Sequence, residues 1–312
     1  MIRAVALALR IGAGAAFGLA VIVAGREIWR NHEGWAVDAL GWAAALYAAQ
    51  VAMLALGWQW LGEGTWPGRA RRVWLRAFVH GWVARYLPGP PTGPAGKYLA
   101  LRDAGAGAPV IAALLWVEQV LQLAASIAVP AALAVPAYGL EWWWAAAGGL
   151  TAAAGLALGG ARPGLVRRVS GRFGPRGERS GAVVAAGPAV LGFAAMSAAA
   201  LLAGLAFHVA AVVVSPWPLS RWEEGVAVFA LASLAGYVTP FAPSGAGVRE
   251  SVIVALLGGQ LGAATALTVA VVARATAVLV DAALAAGYFG AGRIGRGVAR
   301  RASAATLSNR RA

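Results

Sequence analysis

Two segments interrupt long hydrophobic stretches of this chain, and both do so with the same order of residue types. The first spans residues 86–97 and the second spans residues 237–250. Each begins with a tyrosine, passes at least two prolines, reaches a Pro-Thr-Gly or Pro-Ser-Gly turn, and has a glycine shortly before a cation. Proline lacks an amide hydrogen and glycine disfavours helix, so both segments leave backbone polar groups unpaired. Within a membrane this is tolerated only where protein buries the segment or where it lines a wet cavity.

The composition is typical of a membrane protein. Of 312 residues, 60% are hydrophobic and only 12% are charged, whereas a soluble domain carries about 25% charged residues. Six hydrophobic stretches are long enough to cross a hydrocarbon core of about 30 Å. They lie near residues 4–24, 38–61, 109–135, 142–161, 189–214 and 263–289. The sequence therefore predicts an all-α polytopic membrane protein with about six transmembrane helices.

The distribution of arginine predicts the orientation of these helices. The net charge of +14 comes almost entirely from arginine, which is concentrated in residues 63–76, in residues 162–179 and after residue 291. Basic loops lie on the cytoplasmic side of a membrane, so the basic charge does not indicate binding to nucleic acid. Residues 136–144 carry no cation and end in three tryptophans, which is typical of the opposite interface. We expect a bacterial inner membrane protein with both termini in the cytoplasm.

Two further apolar stretches, near residues 72–86 and 223–238, each lead into one of the breaks. The charges of the loops require each stretch to cross the membrane an even number of times. We therefore expect two re-entrant hairpins, the first entering from the cytoplasm and the second from outside. The unit of span, hairpin and span then occurs over residues 38–135 and again over residues 189–289, as two inverted repeats. Paired breaks in two such halves indicate a transporter-like binding site. The alternative for each break is a kinked helix or an extramembrane loop.

These boundaries predict a single transmembrane domain over residues 1–290. Residues 162–179 would form a basic cytoplasmic linker between its halves, and residues 291–312 a basic cytoplasmic tail. The sequence leaves open whether two such chains form a homodimer.

Three charged residues lie well inside predicted spans, where a charge costs about 2.5–3.5 kcal/mol. They are Glu118, Arg274 and Asp281. Arg274 and Asp281 are seven residues apart and therefore share one helix face. Glu118 lies in the first half roughly where Arg274 lies in the second, so we expect these two residues to pair. With Gln119 and Glu250, the three residues would form a polar midplane path or couple transport to protons, or the pair would only hold the bundle together.

Cations flank both breaks and predict an anion site. A glycine-rich turn that opens a helix presents free N–H groups and the positive end of the helix dipole, which suit a phosphate. Arg249 lies at such a predicted helix start, whereas Arg85 and Lys97 could instead extend toward the interface. The predicted phosphate-headgroup site comprises Arg249, Lys97, Arg85, Gly245, Gly247, Tyr86 and Tyr237.

The residues that most enzymes use are sparse. Histidines occur only at positions 32, 80 and 208, cysteine is absent, and the sequence contains neither a His-Glu-x-x-His motif nor a Walker A motif. We therefore expect no catalytic site, no metal and no cofactor.

In its two breaks the chain resembles the lysylphosphatidylglycerol synthase transmembrane region, also called the flippase-like domain family. The resemblance covers about residues 5–290. Members show a Leu-Pro-Gly stretch, a basic segment and a helix that carries a Glu, and these match residues 87–89, Lys97 and Glu118. The second family motif is Pro-x-x-Pro-Gly-Gly-x-Gly-x-Arg-Glu, and it matches residues 240–250.

An intramembrane arginine follows the second motif in the family, and Arg274 occupies that place here. Two positions depart from the pattern: Ser244 replaces the first glycine of the motif, and Gln119 stands where an arginine often follows the glutamate. No segment resembles the large soluble aminoacyltransferase domain of full-length synthases, so the resemblance implies no lysyl transfer.

The resemblance implies that the protein moves a lipid between leaflets. The substrate would be an anionic phospholipid or a polyprenyl-phosphate-linked sugar. The alternative is a non-transporting accessory subunit, with an envelope glycosyltransferase or aminoacyltransferase as its partner. A small-solute secondary transporter with a closed central cavity ranks third, and an enzyme ranks last.

Overall fold

The computed structural model describes residues 38–86, 92–173, 184–239, 245 and 247–309, with side chains as far as residue 291. Within these residues the chain is helical and contains no strand. The helices are α1 (Ala39–Thr65), α2 (Arg71–Ala84), α3 (Thr92–Asp103), α4 (Ala108–Tyr138), α5 (Trp143–Gly160), α6 (Pro163–Ser170), α7 (Ala186–Val214), α8 (Trp222–Val238), α9 (Val248–Leu261) and α10 (Ala263–Asn309). The predicted span at 4–24 lies outside the described residues, and so do residues 87–91, 240–244 and 246 of the two breaks.

Four described helices are long and apolar enough to cross a membrane. They are α1, α4, α7 and the part of α10 that ends at Ala291, with mean hydropathies between 1.6 and 2.2. Each lies within a few residues of a predicted span, so these four predictions are confirmed. The protein is thus an all-α, multi-pass membrane protein.

The predicted span at 142–161 corresponds to α5, which has only 18 residues. It qualifies as a crossing only together with α6, and the axes of the two helices are bent by 58°. Trp143 and Trp144 at the start of α5 are 63% and 61% exposed, as expected for side chains at a membrane interface. The described part of the predicted basic linker is helical as well, because α6 occupies its first half.

The described part of the predicted C-terminal tail is helical. Helix α10 continues without interruption to Asn309, so the basic residues after 290 extend the last helix.

The same order of helices occurs twice in the described chain. A long helix, a short helix, a break, another short helix and a long helix follow each other in α1 to α4 and again in α7 to α10. In each half the two short helices pack against each other, and α4 packs against α8 as α10 packs against α2. Each break therefore lies between two short helices, the first of which contacts the long last helix of the other half.

The long first helices of the two halves pack through small residues, which let membrane helices approach closely. Gly57 of α1 faces Ala195 of α7, and Gly64 faces Pro188. Residue numbers rise along α1 as they fall along α7, so the two helices are antiparallel. Buried apolar side chains form two main clusters. One lies around Trp58 and Trp74 and also includes Met196 of α7, and the other lies around Phe207 and Leu257.

Candidate functional site

Three adjoining cavities lie between the two halves, and Arg85 and Arg249 line all of them. The large chamber has a volume of about 290 Å³ and is also lined by Lys97 and Glu118. The intermediate chamber measures about 120 Å³. The small chamber measures about 70 Å³ and is also lined by Arg274. Cations from both breaks thus meet at one polar site inside an apolar bundle.

A glycine before each break positions the cation that follows it. Gly81 of α2 lies against the aliphatic stem of Lys97, and a Cβ there would also come within 2.7 Å of the carbonyl oxygen of Gly93. Gly236 of α8 lies against the stem of Arg249, whose Cγ would be 3.0 Å from an added Cβ. Because neither glycine has a side chain, each short helix pair can close tightly around its cation.

Lys97 forms a buried ion pair with Glu118, between Nζ and Oε1. Only 9% of Lys97 and 5% of Glu118 is exposed, so Lys97 does not extend to the interface. Its ammonium lies 4.1 Å from the ring centroid of Trp58, a distance at which a cation–π interaction adds to the ion pair. The second carboxylate oxygen of Glu118 is buried and has no hydrogen-bond partner.

Arg274 forms the corresponding pair in the second half, with Nη1 2.6 Å from Oε1 of Glu250. The predicted pair between Glu118 and Arg274 is therefore wrong. Each of these residues pairs within its own half, because the short helix after the break brings Lys97 or Glu250 beside the long helix that follows.

The start of α9 is also less open to an anion than the sequence predicted. The helix begins at Val248, as expected, and Gly245 and Gly247 before it have positive φ angles of 69° and 85°. However, the amide N–H of Gly247 donates to Oε2 of Glu250 at 2.6 Å. One of the helix-start N–H groups that were expected to be free is thus satisfied by a carboxylate of the same helix.

Asp281 binds four side chains and is only 4% exposed. It accepts hydrogen bonds from Arg85, from Tyr86, from Trp82 at 2.8 Å and from Tyr47 at 3.3 Å. Arg85 also donates to the Tyr47 hydroxyl at 3.1 Å, and its guanidinium lies 3.5 Å from the ring centroid of Trp82. This cluster joins α1 and the end of α2 to α10. Asp281 points inward, as its seven-residue spacing from Arg274 predicted.

The tyrosine that opens each break reaches the long helix of the other half. Tyr86 donates to Asp281 on α10, and Tyr237 donates to Oε1 of Gln119 on α4 at 2.5 Å. Both tyrosines were predicted in the site from sequence. Tyr237 and Gln119 line the large chamber, and Tyr86 lines the small one.

Neither a family model nor a curated protein matches this sequence. The family resemblance in the two motifs therefore stays a prediction. What the site can do follows from its own geometry.

Arg249 differs from the other cations of the site. Four cations line the chambers, and three carboxylates bind all of them except Arg249. Within the part of the chain that the structure describes, Arg249 forms no ion pair and no hydrogen bond, and its buried Nε has no partner. Its guanidinium lies 5.9 Å from the ring centroid of Phe229. Among the described residues the four cations therefore outnumber the three carboxylates that bind them by one.

Sequence reasoning missed several residues that form this site. Tyr47 and Trp82 bind Asp281, and Gln50 and Gln122 line the intermediate chamber. A search of the predicted spans for amide side chains would have found the two glutamines. No comparable signal marks the tyrosine and the tryptophan, because both types are common in membrane helices.

Proposed function

We propose that this protein is a lipid carrier of the bacterial inner membrane that moves an anionic headgroup between leaflets. The carried group is the phosphate of a phospholipid or of a polyprenyl-phosphate-linked sugar. The observation that supports this function is the guanidinium of Arg249, which lies beside a polar cavity and has no partner among the described residues. A buried charge without a partner is costly, and an anionic ligand removes that cost. A guanidinium suits phosphate because its planar fork donates two parallel hydrogen bonds.

The other cations contribute to binding in a different way. Lys97 and Arg85 were predicted to hold the phosphate directly, but each is bound to a carboxylate. They line the large chamber beside Arg249 and raise the local potential there. The direct contact is therefore assigned to Arg249, with Arg85 as a supporting cation that lines the same three chambers.

Inverted repeats form part of this proposal. The antiparallel packing of α1 against α7 supports them, because the first helix of each half then crosses the membrane in the opposite direction. The ion pairs support them as well: Lys97 of α3 binds Glu118 of α4, and Glu250 of α9 binds Arg274 of α10. The pairs occupy matching helices and have reversed polarity. Transporters with inverted repeats bind their substrate at the interface between the halves, which is where the chambers lie.

The family resemblance supports the same function. The charged residues of both matched motifs converge on the chambers, although they come from different halves of the chain. We propose that the chain is a flippase-like domain. Since the sequence holds no Walker motif, we assign the driving force to a gradient or to the substrate's own concentration difference.

The test is lipid exchange in liposomes that contain the purified protein and a tagged phospholipid or polyprenyl phosphate. Arg249→Ala should reduce exchange at least tenfold, since losing a buried charged contact costs about 2–5 kcal/mol and 1.4 kcal/mol corresponds to tenfold. Arg76→Ala is the matched control, because Arg76 lies outside the chambers and its pair with Asp103 is exposed. Its exchange should equal that of the wild type.

Two results would contradict the proposal. Undiminished exchange by Arg249→Ala would remove Arg249 from the mechanism. If the wild type exchanged no lipid, the accessory-subunit function would be favoured, and the protein should then co-purify with an envelope enzyme.

A further inference from the structure

We infer that the intermediate chamber is a subsite for the hydroxyl groups of an uncharged headgroup attached to the phosphate at Arg249. The inference rests on the proposed function and specifies its substrate as a phosphate ester of a polyol or a sugar. Arg249 lines both this chamber and the large one, so a phosphate bound there can extend its ester group into either.

The chamber contains hydrogen-bonding groups that the protein leaves unused. Gln50 Oε1 and Ser233 Oγ are buried and have no hydrogen-bond partner in the described part of the chain, and both residues line the chamber. Gln122 lines it as well, and within the described residues its side-chain amide forms no hydrogen bond. Buried polar groups are nearly always satisfied in folded proteins. A ligand hydroxyl can both donate to Gln50 and accept from Ser233.

The charges around the chamber decide which headgroup fits. Two guanidinium groups line it, those of Arg85 and Arg249, and no carboxylate side chain does so among the described residues. An ammonium headgroup would therefore meet two cations at close range, whereas neutral hydroxyls would not. The volume of about 120 Å³ accommodates several water-sized groups, because one water requires only about 10–15 Å³.

The experiment compares headgroups in the exchange assay. Phosphatidylglycerol carries free hydroxyls, phosphatidic acid carries the phosphate alone, and phosphatidylethanolamine carries an ammonium. We expect the wild type to exchange phosphatidylglycerol at least fivefold faster than phosphatidic acid, and phosphatidylethanolamine more slowly than either. Soluble glycerol 3-phosphate, added as a competitor, distinguishes a lipid headgroup from a free phosphate ester.

The variants separate the subsite from the phosphate site. Gln50→Leu with Ser233→Ala should abolish the preference for phosphatidylglycerol over phosphatidic acid. Ser126→Ala is the matched control, since Ser126 lines the same chamber but its hydroxyl already bonds the Gln122 carbonyl at 2.9 Å. It should keep the preference.

The outcomes distinguish the inference from the function on which it rests. If the wild type exchanges phosphatidic acid or phosphatidylethanolamine as fast as phosphatidylglycerol, the subsite is refuted while the carrier stands, and this holds even if the double variant does not fold. Persistence of the preference in a folded double variant also refutes it. If the wild type exchanges no lipid at all, the result contradicts the proposed carrier function rather than the subsite alone. Direct binding of glycerol 3-phosphate to the purified protein without any lipid exchange would keep the hydroxyl subsite and assign it to a soluble substrate.

Discussion

Arg85 and Arg249 line the same three chambers, but only Arg85 is bound to a carboxylate, that of Asp281. Two arginines at one site thus have different tasks. Arg85 joins helices α2 and α10, whereas Arg249 leaves its charge available within the described part of the chain. This difference separates the effects of substitution on stability from those on binding.

Arg249→Ala should leave the thermal stability of the ligand-free protein unchanged or raise it, because the substitution removes a buried charge that has no partner. Asp281→Asn should lower the stability by about 3–5 kcal/mol, since it leaves Arg85 uncompensated. Unfolding followed by tryptophan fluorescence in detergent would measure both effects. A large loss of stability in Arg249→Ala would show that this residue has a structural partner.

The Lys97–Glu118 pair should show strong energetic coupling. Lys97→Met and Glu118→Gln should each destabilise the protein by about 3–5 kcal/mol, whereas the double variant should lose much less than the sum. The same cycle for Glu118 with Arg274 should give additive effects, because these residues have different partners. Additivity in the first cycle would argue against the pair.

Close approach of α2 and α3 should make Gly81 intolerant of a side chain. In Gly81→Ala the new methyl group collides with Lys97 and with the carbonyl oxygen of Gly93, so we expect a lower unfolding temperature and a displaced Lys97. Gly148→Ala and Gly155→Ala are matched controls on α5, because no atom lies within 4 Å of a Cβ at either position. These controls should be neutral or slightly stabilising, as alanine favours helix over glycine by about 0.5–1 kcal/mol.

The orientation predicted from charge can be measured with single cysteines, since the chain has none. Cysteine in place of the exposed Trp143 should react with an impermeant maleimide in intact cells. Cysteine in place of Arg168, on the exposed face of α6, should react only after the membrane is permeabilised. The reverse pattern would invert the topology.

The helices and the position of the site could largely be predicted from the sequence. Long apolar stretches fixed α1, α4 and α7 to within a few residues, because burying a span in lipid requires a minimum length. Because a charged side chain inside the membrane is costly in free energy, the sequence predicted that Glu118 and Asp281 face inward. Both are buried in the structure.

The partners of these charges could not be predicted in the same way. Glu118 was assigned to Arg274 by analogy of position, but its partner depends on how the chain folds back after the first break. That fold depends on Gly81, whose missing side chain admits Lys97. A single glycine among 42 gives no sequence signal of such a contact. By contrast, the hydrogen bond between Gly247 and Glu250 joins residues with the three-residue spacing of a capping box, so the sequence could have predicted it.

The reversed polarity of the two ion pairs has an electrical consequence. A twofold axis in the membrane plane inverts direction along the membrane normal, and exchanging cation for anion inverts it again. In the inverted-repeat arrangement proposed above, the dipoles of Lys97–Glu118 and of Arg274–Glu250 therefore add along the normal, whereas pairs of equal polarity would cancel. Displacing one charge across 100 mV involves about 2.3 kcal/mol. Any motion that tilts both pairs together would thus respond to the membrane voltage.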